Sequence, residues 1–265
     1  FPISDEAQFF AHYDVLTQRP PSNNRLEPVD YLFMADKVGA LLNNPDLKPE
    51  KTIDYELGFA KTLSLSSALK ISAFYKEMRD MIQVINTLGA YPAQYLTYGN
   101  IDFGTVKGMS INNDLRRTSN VSMTAKYTLQ FADGTGSNPT AAANLIASDQ
   151  PNLRTIYPYT YDQRHQIITA LDYRYGSDDG PLSGLGVNLE YKFNSGHPYT
   201  FSDGGMGQRA ADEGALLQDA RSREPQESIG GSTTPWQYYA NLKVDYNLSL
   251  GGVGVTLFAY VNNLF

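Results

Sequence analysis

Ser195, His197 and Asp203 fall within nine residues of one another in NSGHPYTFSDGG, and they are the three side-chain types of an acyl-transfer triad. No nucleophile elbow of the G-x-S-x-G kind surrounds the serine, and Gly/Pro-rich loops commonly hold all three types, so no catalytic role is assigned. The neighbouring SDGGMGQRAADEG places carboxylates at Asp203, Asp212 and Glu213. Such oxygen ligands suit a hard cation, so these three are the candidate calcium ligands, although the EF-hand order is missing. His12, His165 and His197 are far apart, without HExxH spacing, and there is no cysteine. Disulfides, thiol catalysis and thiolate metal sites are thereby excluded. The glycines of GGMG and GTGS neither follow a strand nor open a helix, so no phosphate-bearing cofactor is expected. The chain is read as a non-enzyme without a cofactor.

Aromatic side chains offer a second chemistry. Tyr157, Tyr159, Tyr161, His197 and Tyr199 lie in Gly/Pro-rich connections, where their rings could stack on a glycan, a peptide or a siderophore. A net charge of −7 argues against nucleic acid, because phosphates need a dense basic patch.

The elements that position these residues are strands. In VSMTAKYTLQF, Val121, Met123, Ala125, Tyr127, Leu129 and Phe131 share one face and Ser122, Thr124, Lys126, Thr128 and Gln130 the other, the period of a strand with one apolar face. Similar alternation predicts about nine strands near 5–17, 50–63, 68–84, 104–117, 120–132, 163–176, 184–194, 236–250 and 253–264. Short connections alternate with long ones around 18–49, 85–103, 133–162 and 195–235. Several strands exceed the globular mode and reach the roughly 9–11 residues that cross hydrocarbon at a tilt. Tyrosines gather toward strand ends, as at Tyr173 and Tyr175, or Tyr238 and Tyr239, and Trp236 starts the eighth strand as an interfacial anchor. No run of about 18 apolar residues exists for a helical span. The expected fold class is therefore all-β, a transmembrane antiparallel β-barrel segment. Nine strands do not close a bacterial barrel, so the segment is expected to belong to a larger one. The N-terminus lacks the features of a signal peptide and the chain stops on YVNNLF, so residues 1–265 are expected to be part of a longer polypeptide.

Alternation predicts that Lys76, Lys126, Lys192 and Lys243 face a wet lumen, paired with carboxylates such as Glu77, Glu190 or Asp245. On lipid each would cost about 2–4 kcal/mol at mid-depth. Lys107 strains this pattern, and either a bulge or a strand end is expected to account for it.

The stretch NPDLKPEKTIDYELGFA joins a stiff loop to a strand. Pro45 and Pro49 fix φ and bracket a turn, and Asp54 and Glu56 lie opposite Ile53, Tyr55, Leu57 and Phe59. This stretch resembles the NPxLKPExxxxxExG signature of TonB-dependent outer-membrane receptor barrels, especially the large ones with an adhesin-like or carboxypeptidase-regulatory-like extension. Asn44, Pro45, Leu47, Lys48, Pro49, Glu50, Glu56 and Gly58 match it. FPISDEAQFFAHYDV and LKISAFYKEMRDMIQV resemble the flanking strands of such receptors, and FAYVNNLF a phrase before the last strands.

The resemblance implies a 22-stranded barrel in the outer membrane of a Gram-negative bacterium, an N-terminal plug domain in the same full-length protein, and a TonB-type energy-coupling complex acting through the plug. This chain would be a partial barrel domain lacking the plug and the last strands. Its task would be importing a scarce or bulky nutrient. Two alternatives stand beside that. One is a barrel that docks a surface lipoprotein or a secretion component; the other is a soluble all-β binding module.

Overall fold

Period-two alternation lets a chain present one apolar face only as a strand, and strands dominate the molecule. The computed structural model describes residues 1–20, 41–91, 94–147, 150–176, 179–201 and 227–264. In chain order the strands are β1 (Pro2–Ser4), β2 (Ala7–Gln18), β3 (Glu50–Ser64), β4 (Ser67–Asn86), β5 (Leu96–Thr118), β6 (Val121–Gly134), β7 (Tyr157–Pro158), β8 (His165–Arg174), β9 (Leu185–Asn194), β10 (Pro198–Tyr199), β11 (Ser232–Thr233), β12 (Gln237–Leu250) and β13 (Val253–Val261). Among the described residues the helical elements are α1 (Ala143–Ala147) and a single 3-10 turn at Gly180–Leu182.

One antiparallel sheet runs β1-β2-β3-β4-β5-β6-β8-β9-β12-β13, with β7 added to β6, while β10 and β11 form a separate ribbon. Each long strand pairs with the next long strand in sequence, so the sheet is a meander whose two edges are open among the described residues. Tight connections at 5–6, 65–66, 119–120 and 251–252 and a ten-residue one at 175–184 lie at one end; the longer connections, beginning after Gln18, Asn86, Gly134 and Asn194, lie at the other.

The nine expected long strands are all present. The third and fourth run further than their alternation indicates: β4 continues to Asn86 and β5 begins at Leu96, so the long connection expected at 85–103 shrinks to 87–95. The extension carries little alternation because both of its sides are covered. Ile82, Val84, Gln83, Thr97 and Asp102 are buried there, and packing rather than one-sided patterning holds the pair together.

Register separates two faces. Tyr13, Tyr55, Tyr75, Lys107 and Phe131 stand opposite one another across β2 to β6, and with Leu57, Ile71, Tyr127, Leu171, Val187 and Leu242 they make an apolar face. His12, Glu56, Phe74, Gly108 and Gln130 form one row of the other, polar face. The lysine expectations resolve accordingly. Lys76, Lys126, Lys192 and Lys243 lie on the polar face, whereas Lys107 is exposed on the apolar one. Neither a bulge nor a strand end explains Lys107: its pairing with Tyr75 and Phe131 is continuous, and the register shifts of the β4–β5 pair fall at 78–82.

Candidate functional site

The signature stretch is a clamp on the wall's long-loop end. Asn44 accepts the Asp46 N–H through Oδ1 (2.9 Å) and donates from Nδ2 to the Tyr98 carbonyl (2.8 Å). Asn100 holds both backbone groups of Lys48, accepting its N–H at 2.8 Å and donating to its carbonyl at 3.0 Å. The same Asn100 amide donates to the Asp80 carbonyl at 2.7 Å. Asp80 has φ 56° inside the β4 bulge, where ladder bonds are lost. Glu50 satisfies the other side of that bulge by accepting the Ile82 N–H at 2.8 Å. Pro45 and Pro49 stiffen the segment so that these contacts cost little further ordering. Glu56 pairs with Lys70 at 3.8 Å. Gly58 lies under the Phe10 ring, where a Cβ would collide with it, and Lys70 sits 4.4 Å from the centre of that ring.

A buried polar cluster lies beside the clamp. Gln83 donates to Asp102 Oδ2 at 2.9 Å and to the Asn138 carbonyl at 3.1 Å, and its Oε1 accepts from Val84 and Ala142. Thr135 donates to Asp102 Oδ1 at 2.9 Å. Together they tie β4, β5 and the connection after β6 into one rigid body. Sequence reasoning missed Gln83, Asn100, Asp102 and Thr135. The available signal was the run of polar residues where alternation fails.

The expected loop aromatics separate by role. Tyr159 is fully buried; its ring covers Gly104 and Gly134, and its hydroxyl donates to the Phe103 carbonyl at 3.3 Å. Burial pushes that hydroxyl far above its ordinary range. As a ligand contact it is therefore corrected: no face is free to stack, and the residue is a packing anchor. Tyr161 stacks on it at 5.0 Å and is exposed, as is Tyr199. Tyr157 is half-buried in β7, and its hydroxyl is also raised by burial. His197 is engaged at both ring nitrogens, by Gln163 at 2.9 Å and the Thr160 carbonyl at 3.2 Å. Ser195 accepts the His165 N–H, so nothing joins it to His197. Asp203, Asp212 and Glu213 lie outside the described residues.

The polar face carries a ladder of paired charges. Lys76 meets Asp54 at 2.9 Å and Lys192 meets Glu190 at 3.0 Å. Near the short-turn end Arg117 binds Asp172, Arg174 reaches Asp172 at 3.4 Å, and Arg174 also reaches Asp245 at 2.9 Å. Strict parity would send Arg117 to the apolar face; the register shift between Leu115 and Thr118 turns it inward. Asp54, Glu56, Ser72, Phe74, Lys76, Val106, Ser110 and Gln130 line a recess of about 300 Å³. Asp54 Oδ1 is buried there without a hydrogen-bond partner.

A stiffened rim, a charged face and an opposite apolar face make a wall rather than a reaction centre. The family model described as TonB dependent receptor-like, beta-barrel, matches residues 4–264. The ferric-catecholate import receptor Fiu from E. coli K12 has the same fold at 17% identity and a TM-score of 0.60, with 100% of this chain covering 29% of that one. The FrpB iron transporter of Neisseria meningitidis aligns at 14% identity and 0.58, covering 100% and 33%. P. aeruginosa FpvA, solved with a ferric pyoverdine, aligns at 12% identity and 0.62, covering 100% and 28%. A comparison with curated proteins finds no match. The chain thus spans about a third of the length of these receptors. The family consists of outer-membrane transport receptors of Gram-negative bacteria, not enzymes. The chain belongs to the TonB-dependent receptor-like β-barrel family.

Proposed function

We propose that this chain is part of the barrel wall and external loops of a longer receptor that imports a scarce or bulky nutrient. The supporting observation is the two-sidedness of an open sheet: paired charges on one face, apolar side chains on the other, and edges at β1 and β13 that have no further strand beside them among the described residues. Open edges are untenable in hydrocarbon, where each unpaired backbone group costs several kcal/mol, so further strands complete the barrel. The recess at Asp54 has the chemistry to receive a hydrogen-bond donor from a body inside the lumen. That supports a plug domain as the partner and energy coupling acting through it. Of the expected loop aromatics, exposed Tyr161 and Tyr199, with His197, are the ones placed for ligand contact among the described residues.

The test is a deletion strain grown under single-nutrient limitations. Import predicts a growth defect under one limitation, restored by the wild-type gene. A barrel whose task is docking a surface lipoprotein gives no such defect and instead loses a stoichiometric partner from the outer membrane.

A further inference from the structure

Lys107 is a cation where the wall should be apolar. It is exposed, projects between Tyr75 and Phe131, and has no ion-pair partner within 4 Å among the described residues. Such a placement is costly at mid-membrane but costs about 0–1 kcal/mol near an interface. Its height decides between these. Lys107 lies eleven residues above Thr118, the short-turn end of β5. At about 3.3 Å per residue and a tilt of about 40°, that is roughly 28 Å, just past an apolar band of about 25 Å. The long-loop end of such barrels is external, so Lys107 stands at the outer-leaflet headgroups.

It does not stand alone. The Arg164 guanidinium lies over the Phe131 ring, 5.5 Å from its centre, and Arg164 precedes β8, which flanks β6 on the side away from Lys107 and β5. Phe131 is ten residues above the start of β6 and Arg164 ten above the end of β8, so all three share one level. Asp162 approaches the Arg164 Nε edge at 3.6 Å, and the Arg164 side chain is about half exposed. Beyond Arg164 a recess of about 230 Å³ is lined by Asp162, His165, Ser195, Gly196 and Trp236 among others. Trp236 packs on Phe193 at 4.9 Å and lies 6.3 Å from the His165 ring, an arrangement suited to the membrane interface. Asp133, two residues above Phe131, is occupied by Thr105 at 2.6 Å.

We propose that Lys107 and Arg164 clasp a phosphate of an outer-leaflet lipid headgroup, with Phe131 between them and the Trp236 recess taking the adjoining headgroup. The site belongs to the outward surface and rests on the outer-membrane assignment, not on import. Loss of lipid with normal uptake would therefore leave the import reading intact.

The experiment uses the native polypeptide containing this chain, solubilised in detergent and titrated with diphosphoryl lipid A, with native mass spectrometry counting bound lipid. The K107Q/R164Q variant is expected to bind about tenfold or more weakly, as the loss of two surface basic residues implies. K107R should bind as wild type, showing that charge rather than folding is read, and K61Q, at the opposite end of the wall, should be unchanged. Equal binding by K107Q/R164Q and wild type would overturn the proposal. So would equal binding of dephosphorylated lipid, or full displacement of lipid A by millimolar inorganic phosphate, which would mark a simple anion site.

Discussion

Arg174 and Asp245 meet across an intervening strand. Arg174 on β8 and Asp245 on β12 are both register partners of Gly186 on β9, and the guanidinium spans the glycine to form two bonds of 2.9 and 3.3 Å. A Cβ on residue 186 would lie 3.0 Å from Arg174 Nη1 and from both Asp245 oxygens. Gly186 is thus the gap through which three strands are stapled.

Gly186→Ala should cost about 1–2 kcal/mol by forcing the pair apart. In an Asp245→Ala background the same change should cost less than half as much, because the methyl then meets nothing that must stay. Denaturant unfolding of the four proteins of the cycle measures this; additive costs would show that the glycine and the pair are independent.

Asn100→Ala removes three hydrogen bonds that hold Lys48 and the Asp80 carbonyl, an expected loss of about 2–3 kcal/mol. Limited proteolysis should then cut near residues 41–50 while the short turns stay protected. Glu50→Gln keeps an acceptor for the Ile82 N–H and should cost less than about 1 kcal/mol.

Tyr159→Ala opens a cavity over Gly104 and Gly134 and should destabilise the long-loop end by about 3–5 kcal/mol. Tyr159→Phe leaves the ring and removes only long hydrogen bonds, so its cost should be about 1 kcal/mol. Hydrogen exchange at the long-loop ends of β5 (residues 96–106) and β6 (residues 131–134) distinguishes the two.

Burial raises the Asp162 carboxyl above its ordinary value of 3.8, against the lowering by the Ala132 N–H and Arg164. A raised folded value means that the folded loop holds the proton more tightly. The carboxyl's contribution is thus most favourable below 3.8 and is lost as pH rises through the folded value. Asp162→Asn keeps an acceptor for Ala132 and should remove this pH-dependence. The melting difference between wild type and variant, followed from neutral pH down toward 3.8, is the readout.

The wall was legible because lipid and lumen impose a period of two: VSMTAKYTLQF announces β6 with no knowledge of its neighbours. The rim was not. Gln83, Asn100 and Asp102 act through partners 19 to 55 residues away, and no local pattern marks a side chain that satisfies a distant bulge. The signature at 44–58 was visible as a motif, yet its mechanical role appears only once Asn100 and the Asp80 bulge are seen together. Lys107 carries the same lesson from the other side: its parity was readable, but its height in the wall was not, because that depends on where the β5–β6 turn falls.

A barrel wall requires that residues 121–131 have one face in lipid. These 265 residues hold no cysteine, so single spin-labelled cysteines at 123, 124, 125, 126, 127 and 128, placed in a polypeptide freed of any other thiol, can be read in native outer membranes. Accessibility to oxygen should be high at 123, 125 and 127 and low at 124, 126 and 128, with the opposite order for a water-soluble nickel reagent wherever the lumen is wet. Water accessibility at 123, 125 and 127 matching that of an exposed loop would show that this face is not in lipid.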